Sequence, residues 1–248
     1  MLADELIQSP LLLILLLIVA FLYASVGHGG ASGYLALMSL FAFPVTFMKP
    51  TALVLNILVS GISFYFYYRE KKFEWKLFYP FAITSIPFSF LGGLITIETH
   101  IYKIILATVL LFAVARLLGL FGKQKEDLKP VNIPLALFIG AIIGFLSGLI
   151  GIGGGIILSP VIVLLGWGDM KKTAAVSALF IFVNSISGLL GFVTKGGTIP
   201  ISSVSLIAVV LIGGILGGYY GSKKMNMLVL RNVLAVVLLI AVFKLYTT

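Results

Sequence analysis

Two glycine runs, Gly27-His28-Gly29-Gly30 and Gly151-Ile152-Gly153-Gly154-Gly155, each interrupt a long apolar stretch. Glycine costs about 1 kcal/mol against alanine inside a helix, so such a run breaks one. A break frees backbone N–H groups, and the helix that restarts beyond it adds the positive end of its dipole. Together these features can hold an anion. His28 lies inside the first run. Its imidazole titrates near neutral pH, so it can contact an anion and pass a proton, or stay neutral against a freed carbonyl. The other polar groups at depth are neutral: Ser25, Ser32, Asn56, Ser60, Ser177, Asn184, Ser185 and Ser187. Hydroxyls in membrane helices commonly bond their own backbone. Asn56 and Asn184 are costlier to bury unsatisfied, and each lies in the segment following a break. The candidate substrate-binding set is therefore Gly27, His28, Gly29, Gly30, Ser32, Asn56, Gly151, Gly153, Gly154, Gly155, Ser177 and Asn184.

What the chain lacks gives this chemistry a sign. Its 8 carboxylates all fall at or near the ends of apolar segments. Embedded carboxylates are the usual ligands of transported cations and the usual proton relays. Their absence at depth argues against cation transport, and against intramembrane enzymes that hold metal–pyrophosphate on aspartates. With 2 histidines and no cysteine, a metal site, thiolate catalysis and disulfides are not expected. No cofactor is expected.

The elements that position these residues lie in a bilayer. Of the 248 residues, 60% are hydrophobic and 10% charged, with mean hydropathy +1.20, too few polar side chains to cover a soluble globule. The net charge of +9 reads as topogenic Lys and Arg rather than as nucleic-acid binding, because no basic run is long enough to track a phosphate backbone. The run Leu11–Leu22 follows Asp4 and Glu5 rather than basic residues, and reads as a retained membrane helix, not a signal peptide. Apolar segments are expected at about 8–26, 31–47, 50–68, 76–96, 101–121, 132–150, 155–167, 173–193, 201–221 and 227–246. Segments 31–47 and 155–167 are short for a crossing, which takes about 20 helical residues. The other glycines, among them Gly92, Gly93, Gly140, Gly144, Gly148, Gly213, Gly217 and Gly221, fit close helix packing.

The chain reads as two halves. Besides the glycine runs, Lys49-Pro50-Thr51-Ala52 matches Lys171-Lys172-Thr173-Ala174, and Leu91-Gly92-Gly93 matches Leu216-Gly217-Gly218. The run from Lys103 to Leu117 aligns with that from Arg231 to Leu245. Matches in one order are the mark of an internal repeat. If each half crosses the membrane an odd number of times, Lys49, Lys103, Lys195 and Lys244 share one side and the other basic residues share the opposite side. The rich side should be cytoplasmic. The expected fold is an all-α, polytopic membrane helical bundle of two inverted repeats, each with a glycine-broken or re-entrant first helix, about 8 spans plus the broken segments. The repeats are residues 1–122 and 131–248, joined by a cytoplasmic linker at 123–130, with both termini outside.

Gly27–Gly33 with Pro44, and Gly144–Gly155 with Pro160 followed by Lys172-Thr173-Ala174-Ala175-Val176-Ser177, resemble the TauE/SafE sulfite exporter family, also called the toluene sulfonate uptake permease family. The resemblance covers essentially the whole chain. The first half departs from the fuller second-half motif at His28 and Ser32. The resemblance implies transport of sulfur-containing anions such as sulfite, thiosulfate or sulfonates across the cytoplasmic membrane, with no enzymatic activity and with substrate contact at the two glycine runs. The expected activity is secondary transport of a small anion by alternating access, with proton coupling through His28 as a candidate. The alternatives are a passive anion channel and a transporter of non-sulfur organic anions.

Overall fold

The computed structural model describes residues 9–120, 128–223 and 228–247. Residues 123–127 of the expected linker lie outside the described residues. Ten α-helices and one 3-10 turn account for most of the described residues. They are α1 (Pro10–Ser25), α2 (Ala31–Leu40), α3 (Val45–Arg69), α4 (Trp75–Leu94), α5 (Thr99–Leu117), α6 (Ile133–Ile150), α7 (Gly155–Leu165), α8 (Met170–Thr194), α9 (Val204–Lys223) and α10 (Leu228–Thr247). No strand occurs among the described residues. In hydrocarbon every backbone polar group must be paired internally, which leaves the helix as the form for such a chain.

Among the described residues, five stretches are long and apolar enough to cross a membrane: α3, α4, α6, α8 and residues 201–222. The remaining helices are shorter in their apolar part. With 10 and 11 residues, α2 and α7 rise about 15 Å each, half of a bilayer core.

One boundary differs from the sequence expectation. Segment 31–47 is not one helix: α2 stops at Leu40, Ala42 takes a left-handed φ of 58°, and Pro44 caps α3. Proline lacks an N–H and pushes its predecessor out of the helical region, so the chain must turn there. Lys49 consequently lies inside α3 rather than in a loop, and is only 6% exposed. Its ammonium reaches the Ile95 carbonyl at 3.5 Å and lies 5.6 Å from the centre of the Phe192 ring. Lys171, its sequence match, donates to the Ser222 carbonyl at 3.4 Å. Each lysine thus sits at a helix C-terminus, where carbonyls are unpaired and the dipole is negative.

Packing follows a paired plan. Helix α4 packs on α6 and α9 on α1; α4 also packs on α8, and α9 on α3. Helices α3 and α8 pack on each other, as do α5 and α10. Contacts of Lys49 with Phe192, Asn56 with Ser185 and Gly61 with Phe182 make α3 and α8 antiparallel. The middle of α5 meets the end of α10, where Thr108 and Tyr246 share a hydrogen bond of 2.8 Å. Met48, Lys103 and Lys244 line one pocket, and Lys49 lies over Phe192 just before Lys195, so these four lysines gather at one end of the bundle. At the other end Lys172 pairs with Glu74 at 2.8 Å, and the Lys129 N–H reaches the Gly166 carbonyl.

Glycines set the closest contacts. A Cβ on Gly140, Gly144 or Gly148 of α6 would strike the carbonyls of Phe81, Ser85 and Ser89 on α4. One on Gly213, Gly217 or Gly221 of α9 would strike those of Leu17, Phe21 and Ser25 on α1. Lipid tails are as apolar as the helices, so van der Waals fit between backbones is what holds such pairs.

Candidate functional site

Both glycine runs form breaks between helices. Residues 26–30 separate α1 from α2, and residues 151–154 separate α6 from α7. Gly27 and Gly151 open their breaks, and Gly30 and Gly154 N-cap the restarted helices, all with left-handed φ between 76° and 96°. A residue with a Cβ is strained there. The carbonyls left over at the end of each first helix are capped from a distance. Tyr67 Oη donates to Ser25 O at 2.9 Å, and Tyr102 Oη to Ile150 O at 2.8 Å.

The two breaks meet at Asn56. Its Oδ1 accepts from the Ala31 N–H, at the first residue of α2, at 3.1 Å. Its Nδ2 donates to Ser185 Oγ at 3.0 Å and to the Ile152 carbonyl of the second break at 3.4 Å. Gly29 and Gly153 both lie so close to the Asn56 amide that neither could carry a Cβ. Ile181 of α8 closes the same seam against Gly29, Gly153 and Gly155. Asn56 is fully buried.

His28 makes a second crossing between the breaks. Its Nδ1 lies 2.9 Å from the Val26 carbonyl. Its Nε2 lies 3.2 Å from the Gly155 carbonyl and 3.0 Å from Ser159 Oγ. Ser159 in turn shares a hydrogen bond of 2.7 Å with Ser177. A neutral ring protonated at Nδ1 donates to Val26 O and accepts from Ser159. A doubly protonated ring donates to Val26 O and Gly155 O. Both protonation states find partners without movement.

The remaining candidates are spread around this centre. Ser32 donates to Tyr23 Oη at 2.7 Å, beside the first break. Gly27 packs on Ala174 at the start of α8, and Gly151 on Lys49 at the start of α3. Asn184 is not at the seam: its Nδ2 donates to Ser85 Oγ at 3.0 Å and to the Phe180 carbonyl at 2.8 Å, tying α8 to α4. Its buried Oδ1 has no partner among the described residues. Ser25 and Ser60 bond carbonyls of their own helices.

The sequence reading omitted Ser159 and Tyr34. Ser159 is one turn after Gly155 and is the only hydroxyl residue in α7, which was a usable signal. Tyr34 is one turn after Gly30, and its fully buried hydroxyl lies against Gly30 with no hydrogen-bond partner among the described residues. Helical side chains lean toward the N-terminus, which aims Tyr34 back at the break.

A family model described as sulfite exporter TauE/SafE matches residues 12–245. The chain belongs to the TauE/SafE family. A probable membrane transporter protein of Sinorhizobium fredii is 35% identical over 234 residues, covering 92% of this chain and 94% of that one. One of Methanocaldococcus jannaschii is 30% identical over 207 residues, covering 77% and 74%. One of Bacillus subtilis is 25% identical over 226 residues, covering 88% and 91%. No solved structure matches at a significant level. Membership and the apolar helices make this TauE/SafE protein a multi-pass membrane transporter.

Proposed function

We propose that this protein is a secondary transporter of small sulfur-containing anions, such as sulfite, thiosulfate or sulfonates, working by alternating access. One observation carries the reading: two glycine-broken helices meet at Asn56, with both restarted helices beginning there. A helix start offers N–H groups and a positive dipole end, and two starts at one place favour an anion. The family's name supplies the sulfur chemistry. Burial of Asn56, His28 and Ser177 favours a carrier that occludes its substrate over a permanently open channel.

The same reading takes the chain as two inverted repeats, 1–122 and 131–248. The exchange-symmetric packing and the antiparallel run of α3 with α8 support it. Inversion brings two broken helices to a common midplane site. With the four clustered lysines on the outer face and the richer end in the cytoplasm, both termini lie outside.

The test is flux in proteoliposomes. Sulfite, thiosulfate and ethanesulfonate should be accumulated against their gradients when a pH gradient is imposed. Purely downhill movement, blind to the pH gradient, would give the channel reading. His28→Ala should abolish the uphill component, because it removes the imidazole that links the two breaks. A His28→Ala protein that still accumulates substrate with wild-type pH dependence removes His28 from the coupling step.

A further inference from the structure

We propose that the Tyr34 hydroxyl donates a hydrogen bond to the bound oxyanion, which seats the anion at the start of α2 rather than midway between the two breaks. This rests on the anion-transport reading and deepens it, by naming a contact and a side. Tyr34 lies one turn into α2 and is fully buried. Its ring leans back over the N-cap, so that Oη would lie 2.6 Å from a Cβ on Gly30. Oη has no hydrogen-bond partner among the described residues. A hydroxyl buried unpaired costs free energy that phenylalanine, with the same ring, would not. Packing alone therefore gives no reason for this oxygen, whereas a ligand does.

The neighbouring groups narrow that ligand to an anion. Asn56 Oδ1 holds the Ala31 N–H, and the Gly30 carbonyl holds the Tyr34 N–H. The Ser32 and Gly33 N–H groups between them find no partner among the described residues. The Ser32 hydroxyl is spent on Tyr23 Oη. What remains at this helix start is one phenol O–H and two backbone N–H groups, donors at the positive end of a dipole. The head of sulfite or of a sulfonate can accept several such bonds at once. The second break has no equivalent. Leu158 stands one turn after Gly154, as Tyr34 stands after Gly30, and carries no polar side-chain atom. The two halves thus differ in the one side-chain donor placed to grip the anion, and the anion belongs with the first.

The test is Tyr34→Phe, with sulfite and ethanesulfonate as probes. In phosphatidylcholine nanodiscs without a probe, Tyr34→Phe should melt at or above the wild-type temperature, because no bond is lost. Tyr67→Phe strips a bond already made to the Ser25 carbonyl, and should melt lower. Either probe should raise the wild-type melting temperature, since a ligand stabilises the state it binds. Tyr34→Phe should need at least about tenfold more probe for the same rise, the scale of one hydrogen bond to a charged group. In proteoliposomes its half-saturation should rise by a similar factor, while uptake keeps its wild-type pH dependence because His28 is intact. A Tyr34→Phe protein with wild-type half-saturation overturns the contact. So does one that melts as low as Tyr67→Phe without a probe, which would mean that the hydroxyl has a structural partner. A raised half-saturation together with lost pH dependence would make Tyr34 part of the proton step, and also overturns it. If the wild type moves both probes and Tyr34→Phe matches it, the contact fails and the transport reading stands. If the wild type neither binds nor moves either probe, the transport reading falls and the contact with it.

Discussion

Asn56→Ala should lower anion flux by about a hundredfold per folded molecule, the scale on which small misplacement of a binding geometry acts. The substitution removes one side chain that touches both breaks. It leaves the Ala31 N–H, the Ile152 carbonyl and Ser185 Oγ without that partner in a buried place. Each buried group left unsatisfied costs about 1–3 kcal/mol, so the folded state should also weaken by several kcal/mol. Asn56→Asp separates the two effects. A carboxylate can still accept from Ala31 N–H but cannot donate to Ile152 O or Ser185. It also puts negative charge where an anion should sit. Asn56→Asp should therefore lose flux as fully as Asn56→Ala whatever its stability. Ser85→Ala is the control, because it strips a buried partner from Asn184 at the α4–α8 contact, away from the breaks. Its flux per folded molecule should hold while its melting temperature falls. Initial-rate uptake in proteoliposomes and thermal unfolding in detergent give both quantities. Wild-type flux in Asn56→Asp would exclude an anion from the seam.

The reasons Asn56 could be found in the sequence also explain what was hidden. A glycine run inside an apolar stretch has one physical meaning in a bilayer, so both breaks were legible. An amide in the following helix is costly to bury, and that cost flagged Asn56 and Asn184 equally. Only packing distinguishes them: Asn56 faces Ala31 and Ile152, whereas Asn184 faces Ser85. Both lie in 25-residue helices, where an apolar surround on every side leaves no periodicity to read. Lys49 was misjudged for a related reason. Beside Pro50 it looks like a segment end, yet the chain turns earlier, at Pro44, and Pro50 lies inside α3, as prolines in membrane helices can where neighbouring groups satisfy the freed backbone. Its buried aliphatic stem then carries the ammonium to a carbonyl of α4. His28 looked like a departure of the first run from the second. It is instead a link to that second half, and no pattern within one run could reveal a partner at Gly155 or Ser159.

Gly148→Leu should prevent assembly of the bundle, or destabilise it by about 3 kcal/mol or more, the upper range for overpacked sites. Gly148 is where α4, α6 and α8 come closest. A Cβ there would fall on the Ser89 carbonyl, and one on Gly188 would lie 3.0 Å from the Gly148 Cα. The obstruction is backbone, which cannot rotate aside as a side chain end can. Helix α6 would have to lift from α4, which also opens the Gly140 and Gly144 contacts along the same stripe. Nothing in lipid compensates, because an exposed leucine is as well solvated by tails as by protein. Gly217→Leu should act alike by prising α9 from the Phe21 carbonyl of α1. Gly214→Ala sets the lower bound. Its new methyl would lie 3.2 Å from Val59 Cγ2, a side-chain end that can give way, so the loss should be small. Yield, monodispersity on gel filtration and melting temperature rank the three variants. Equal behaviour of Gly148→Leu and Gly214→Ala would mean that α4 and α6 do not meet backbone to backbone. The second break would then lose the support that holds Ile152 against Asn56.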